Sequence, residues 1–281
     1  MPAEPIRITD TVSQALTDSP ADQSRLPFWK RSHYLDRMNL RELVVAYFQH
    51  YTIVAYLTIT ALCAVALVWF PVTPLAALGA ALAGLVVYPL VWHLLHQYVL
   101  HGQWMYRSKL LSPTWKRIHY DHHQDPNDLN VLFGALHTTL PTIAIATGPV
   151  GWAIGGPGGA LVAFATGILT TCYYEFMHCI QHLSFKPKWK WVQFQKQRHN
   201  EHHYFHEDGN YGITNYVWDR LLGTYYEKKD RPKRSPTVFN LGYTEEVAMH
   251  YPWVKELSGG IASGHPRRRA IGKEGDDTIA A

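Results

Sequence analysis

The chain has 281 residues, a formal net charge of +4 and 17 histidines, a length that allows one sizeable domain or two small ones. The modest positive charge comes with no basic stripe and no nucleic-acid module, which excludes a nucleic-acid partner. Cys63, Cys172 and Cys179 lack paired spacing, which argues against a disulfide framework and for inert buried thiols.

The first two dozen residues are polar, without an apolar core or a cleavage signature. Residues 1–42 therefore read as a polar N-terminal segment. No Asp, Glu, Lys or Arg lies between Glu42 and Arg107, or between Asp128 and Glu175. A spanning helix needs roughly 20 predominantly apolar residues. Tyr51 to Phe70 supplies one span and Thr73 to about Trp92 a second, with only Pro71-Val72 between them, so the pair reads as a tight hairpin. The second helix runs on toward Leu100 and carries its last histidines to the water side. Leu132 to about Ile154 and Ala160 to about Phe176 form another pair, divided by the breaker cluster Gly155-Gly156-Pro157-Gly158-Gly159.

Every Lys and Arg lies outside these blocks, and both short turns are uncharged. The positive-inside bias then predicts four spans with both termini cytoplasmic. The expected fold is an all-α integral membrane protein: four transmembrane helices as two hairpins beneath a cytosolic, histidine-rich helical cap. Residues 43–230 form the four-span and di-metal domain. Residues 231–281 form a C-terminal cap extension, with a disordered tail beyond Ser258. A compact single-module build favours a bacterial inner membrane over the endoplasmic reticulum.

Ten histidines fall into an ordered pattern. His96 and His101 form H-x4-H; His119, His122 and His123 form H-x2-H-H; His178 and His182 form H-x3-H; His199, His202 and His203 repeat H-x2-H-H. Each half of the chain thus has a hairpin, an exit pair and then a triplet. Imidazole is largely neutral at pH 7 and is a good ligand for iron, zinc or copper. On a helix, i and i+3 or i+4 share a face, so His199 with His202 or His203 can grip one centre. His119 with His122 or His123 has the same geometry, as does His178 with His182. Adjacent histidines diverge by about 100°, which lets a doublet serve two neighbouring metals. His96 and His101 diverge by about 140° on an ideal helix, so a helix end or a π-type bulge is expected there. Ten imidazoles exceed the four ligands of a structural zinc and suit two metals with open positions. A polar cluster at the membrane boundary is also costly unless it has a function.

These residues resemble the fatty acid hydroxylase superfamily, which also holds sterol oxidases, sterol desaturases and carotenoid hydroxylases. The resemblance covers roughly His93 to Tyr226. His96-Gln97-Tyr98-Val99-Leu100-His101-Gly102 is similar to the first histidine box, and His119-Tyr120-Asp121-His122-His123 to the second. Tyr174-Glu175-Phe176-Met177-His178 with His182 resembles the third, and Arg198-His199-Asn200-Glu201-His202-His203 the fourth. The stretch Gly212 to Thr224, with its Trp218-Asp219 and Gly223-Thr224 pairs, is similar to the ending that follows that box. Two departures stand out: Gln97 replaces a usual Arg or Lys, and Leu183 follows His182 where many members carry a second histidine.

The resemblance implies two iron ions, dioxygen as co-substrate, two electrons, and an acyl, sterol or carotenoid chain entering from the bilayer. All ten patterned histidines are the candidate metal ligands. Asp121, Asp125, Glu201, Asp208 and Asp219 are candidates to orient imidazoles, and His93 and His206 are candidate ligands or neighbours. The expected activity is hydroxylation, or desaturation, of a membrane lipid, with a fatty-acyl lipid ahead of a sterol or carotenoid. The ends are too short for a fused redox domain, so a separate electron donor, ferredoxin-like or cytochrome-like, is expected. Zinc lies above iron(II) in affinity for such nitrogen sites and can replace it on isolation. Two other classes compete. A zinc transporter would place ligands near the bilayer midplane, whereas these clusters sit at helix exits. A haem protein would leave the H-x2-H-H doublets without a role. The oligomeric state is open.

Overall fold

A computed structural model describes residues 34–261. The 1–33 segment and the tail from 262, including most of the expected disordered stretch, lie outside the described residues. Among those described there is no strand, only an isolated bridge between Tyr34 and Asp128.

Helix α1 (Leu40–Gln49) starts on a capping box, in which the Asn39 side chain accepts from Arg41 and Glu42 N–H while Glu42 reaches back to the Asn39 N–H. The chain turns by 60° at His50 into α2 (Tyr51–Ala66). Helix α3 (Pro74–Leu95) opens with Thr73 as cap and Pro74 in the first turn, where a missing N–H costs nothing. A π turn, His96–Leu100, prolongs it. After several short helical turns, α4 (Leu136–His182) forms the longest element. Helix α5 (Lys190–Tyr204) carries the last histidine triplet, followed by α6 (Val217–Leu222), α7 (Glu245–His250) and α8 (Trp253–Ser258).

Among the described residues, two helical runs are long and apolar enough to cross a membrane, Pro74–Leu100 and Leu129–His182, or three if α1 and α2 count as one bent span. The sequence reading expects four. The difference has two sources. Helix α2 alone is only 16 residues, and α4 is a single run whose backbone leaves helical geometry only at Gly155 (φ −145°, ψ 25°) and Gly156 (φ 60°, ψ −149°). That left-handed φ at Gly156 is open to glycine without a Cβ penalty. The break folds α4 back on itself. A Cβ on Gly151 would lie 2.4 Å from the Gly159 carbonyl and 2.5 Å from Ala163 Cβ, so stretches 136–154 and 157–182 run side by side. A Cβ on Gly158 would meet the Phe70 carbonyl at 2.5 Å. The two uncharged turns therefore meet at one end, and the histidines gather at the other.

Many polar side chains on the helices bond within the helices, as a lipid environment favours. Thr58, Thr142, Thr147, Thr166 and Thr170 each donate to the carbonyl four residues back. Tyr56 and Thr139 hydroxyls pair at 2.6 Å, and Tyr88 and Thr171 at 2.7 Å. Their outward side chains, among them Leu75, Leu82, Val86, Ile145 and Trp152, are exposed and apolar, the composition of a surface that meets lipid tails. One apolar core lies among α1 to α4, with Ile53, Tyr56, Tyr88, Ile143 and Ile168 fully buried. A second lies in the cap, where Trp115, Tyr106 and Tyr120 pack against Tyr243, Ala248 and Val254. The segment beyond residue 230 is thus packed onto the first-half histidine turns.

Candidate metal centre

The ten patterned histidines gather into two groups of five, and within each group one nitrogen per ring lies within 4.8 Å of all the others. His96, His101, His119, His123 and His202 form group one; His122, His178, His182, His199 and His203 form group two. Nine of these side chains are buried and His101 is half-buried.

Local backbone explains the grouping. The His101 N–H donates to the His96 carbonyl at 3.0 Å, an i→i+5 bond that closes the π turn and brings the two rings to 5.0 Å. A second π turn, Lys116–Tyr120, carries His119, and a short helix, Asp121–Gln124, carries His122 and His123. His119 then faces His123, with ring centroids 4.6 Å apart, and His199 faces His203 at 4.4 Å. Both are i, i+4 pairs. Each adjacent doublet is split between the groups, as the 100° divergence requires. The halves also exchange a residue: His122 crosses into group two and His202 into group one. Leu183, where a further histidine was a possibility, is fully buried, and group two still has five imidazoles.

The nitrogens converge without protons to spare. His101 and His119 place Nε2 atoms 2.8 Å apart, His182 and His199 2.9 Å, and His122 and His203 3.1 Å. The inward Nε2 atoms of His96, His123, His178 and His202 are buried with no partner in the protein. Unpaired buried nitrogens are expensive, and a cation at the centre of each group satisfies them together. The residues present therefore fit two metals. Burial, reinforced by neighbouring imidazoles, holds His101, His119, His122, His199, His202 and His203 well below the usual histidine range. Burial likewise pushes His123 down to about 3. Neutral imidazole is the ligating form.

The outer nitrogens differ between the groups. In group one, Nδ1–H of His96 donates to the Tyr211 carbonyl (2.7 Å), that of His202 to Gly209 (2.8 Å) and that of His123 to Val238 (3.1 Å). In group two, Nδ1 of His122, His182, His199 and His203 has no acceptor in the protein. Three of the five expected acids, Asp121, Glu201 and Asp219, form their bonds elsewhere than on the imidazoles of the two groups. Asp121 pairs with Lys116 at 2.7 Å and Glu201 with Arg198 at 3.0 Å. Asp219 acts one step removed: fully buried, it accepts from Tyr211 N–H, Gly212 N–H and the Thr224 hydroxyl. That clamp aims the Tyr211 carbonyl at His96. His93 stands 3.6 Å from the same carboxylate, outside both groups, and His206 is outside them too.

An apolar cavity of about 220 Å³ reaches both groups from the side of the long helices, bordered by Trp92, Leu95, Thr138 and Thr142 and by the rings of His96, His119, His122, His178, His199 and His203. Glu175 also borders it, buried, with Oε1 accepting from Gly134 N–H at 3.1 Å and Oε2 unpartnered. Sequence reasoning quoted Glu175 within a histidine box and gave it no role. Its signal was available: it is the acid that ends a long charge-free block, and an ionisable group at membrane depth marks function by default. The carbonyls of Gly209, Tyr211 and Val238 had no such signal, since any residue carries one.

The sequence profile of the fatty acid hydroxylase family matches residues 81–224. The ceramide very long chain fatty acid hydroxylase SCS7 of Saccharomyces cerevisiae is 28% identical over 189 residues, covering 60% of this chain and 47% of that protein. The dihydroceramide fatty acyl 2-hydroxylase FAH1 of Arabidopsis thaliana is 26% identical, covering 60% and 75%. The fatty acid 2-hydroxylase of Rattus norvegicus is 25% identical, covering 56% and 42%. The chain thus spans less than half of the yeast and rat proteins. A solved structure of full-length scs7p, with only its hydroxylase domain visible, superposes with a TM-score of 0.56 at 22% identity, covering 84% of this chain and 97% of that one. That likeness is one of fold.

Proposed function

The chain belongs to the fatty acid hydroxylase family, and from that premise we propose that it is a membrane-bound di-iron oxygenase that hydroxylates a fatty-acyl lipid at carbon 2. The observation that carries this reading is the apolar cavity that opens toward the long helices and ends on histidines of both groups. The names of the yeast, plant and rat relatives support the acyl substrate and, for the last two, the 2-position. Sterol, carotenoid and desaturation chemistry find no such support.

The proposed ligands are the ten grouped histidines. Two irons held there would supply reductive activation of dioxygen and removal of hydrogen from the C–H at carbon 2, with the balance RH + O2 + 2 e⁻ + 2 H⁺ → ROH + H2O. The chain's own residues do the rest. Leu95, Val99 and Leu100 keep water from the reacting carbon. Glu175 offers its free Oε2 as acceptor to an N–H or O–H at the polar end of the acyl lipid, which fixes which carbon stands beside the metals. The proposed topology is four spans as two hairpins, with both termini and the histidine end on the cytoplasmic face. The long apolar helices support a membrane location, whereas relatives from a yeast, a plant and a rat lend nothing to a bacterial inner membrane.

Protein purified anaerobically with iron is expected to hold close to two irons per chain and to consume oxygen with membrane lipid and a chemical reductant. Mass spectrometry should then find acyl chains carrying one added oxygen at carbon 2. One metal or none, with no lipid-dependent uptake, sinks the reading; a 2,3-alkene product would replace hydroxylation by desaturation.

A further inference from the structure

An open recess of about 930 Å³ lies along another face of α5 from the one that meets the lipid cavity. Gln193, Gln197, Asn200 and Tyr204 face the recess, while His199 and His203 of the same helix face the cavity. Helix α5 thus presents polar residues to the recess and its histidines to the proposed metals on adjoining faces. One group-two imidazole borders the recess directly: His182, 6% exposed, whose Nε2 lies 2.9 Å from that of His199.

Lys186, Lys196 and Arg231 line the recess together with Asp36 and Glu201. Exposed Lys188 and Lys190 follow Lys186 in the chain, and exposed Lys228, Lys229, Lys233 and Arg234 flank Arg231, with Lys229 paired to Glu227 at 3.9 Å. Asp230 is the exposed acid within those two stretches, 183–190 and 227–234. The second stretch is tied to the recess wall, because Ser235 N–H donates to the Phe205 carbonyl (2.9 Å) and the Arg231 guanidinium lies 3.9 Å over the Phe205 ring. These cations outnumber the acids of the recess and its two flanking stretches and gain little for the fold; such an excess is suited to attracting an acidic partner.

We propose that this recess is the docking site of a small acidic one-electron carrier protein, which delivers electrons to the metal pair past the His182 ring. The inference rests on the oxygenase reading. Each hydroxylation consumes two electrons, so two carriers are each oxidised by one electron per turnover while dioxygen is reduced to one alcohol oxygen and one water. Entry through the recess leaves the lipid cavity free for substrate, and electron tunnelling favours the short path past His182. An anionic lipid surface is the competing occupant, since Trp189 and Trp191 are 78% and 47% exposed between the lysines. The concavity and the metal-group imidazole bordering it favour the protein carrier, because lipid headgroups need neither.

The test uses the full chain, iron-loaded and oxidised, in neutral phosphatidylcholine nanodiscs, with a Lys186→Glu/Arg231→Glu/Lys233→Glu variant. Two acidic carriers serve as probes, a reduced plant-type [2Fe–2S] ferredoxin and a reduced soluble b-type cytochrome domain. Their oxidation is followed anaerobically by stopped flow. Photoreduced riboflavin, small and uncharged, is the control reductant. Charge reversal is expected to slow oxidation of at least one carrier by about tenfold or more and to flatten its salt dependence. Reduction by riboflavin and metal content should stay unchanged. Equal carrier rates in both proteins overturn the proposal, as does failure of both carriers to reduce an unaltered protein that riboflavin reduces. A rate difference confined to phosphatidylglycerol nanodiscs assigns the cations to lipid and also overturns it. Electron delivery is read without oxygen or substrate, so absence of lipid-dependent oxygen uptake would count against the oxygenase reading alone.

Discussion

The two histidine groups contain five imidazoles each, yet they are held differently. Group one faces the carbonyls of Gly209, Tyr211 and Val238, which lie outside the helices, and three of its rings donate to them. Group two is built between α4, α5 and the short helix at Asp121, whose carbonyls are largely committed to i→i−4 bonds. Four of its outer nitrogens accordingly find no acceptor in the protein. An outer hydrogen bond fixes a ligand's tautomer and orientation and raises its basicity. The lesson is that ligand count alone does not make two sites alike; what the backbone behind them can still accept does.

The largest effect should come from breaking one group at a time. His202→Ala and His203→Ala change adjacent residues in different groups, and each is expected to abolish oxygen uptake while leaving close to one metal per chain. The metal kept should differ, which Mössbauer spectra of iron-loaded variants would reveal. Loss of both metals in both variants would erase the distinction.

Next, titrating the loaded protein with a chelator should remove metal in two steps. The group-two metal leaves first, at roughly 10- to 100-fold lower chelator, the usual range for missing outer hydrogen bonds. A single step would mean that the carbonyl contacts carry no affinity.

Asp219→Asn sharpens the comparison from the other side. It weakens the clamp on Tyr211 and Gly212 and so loosens the carbonyl behind His96. Group-one affinity should fall by about tenfold, narrowing the gap between the chelator steps while the group-two step stays in place. Glu175→Gln should have the smallest effect on metal, none in either step. The amide oxygen can still accept from Gly134 N–H, so the fold survives, and turnover falls by several-fold through mispositioned substrate. A drop in metal content would instead make Glu175 part of the group-two site.

Much of the centre was legible beforehand because metal ligation leaves marks in sequence. The i, i+4 spacing of His119 with His123, and of His199 with His203, announces shared faces, and H-x4-H at His96 announces a helix end or a π turn, of which the backbone forms the second. The hairpin break at Gly155 and Gly156 was equally readable, since only glycine meets a φ of 60° cheaply. The span count was harder to read: hydropathy sees apolar length, but not that α1 and α2 bend at His50 or that α4 runs to His182 as one folded element.

By itself, then, the sequence determined that this protein has long apolar helices, ten clustered imidazoles and a family. Those properties depend on residue type and local spacing. Only the tertiary structure decided that His122 and His202 change partners between the halves, that Asp219 steers a carbonyl rather than an imidazole, and that a basic recess backs onto His182. Each of these joins residues far apart in the chain, often through backbone atoms that every residue shares, and no local pattern encodes such a meeting.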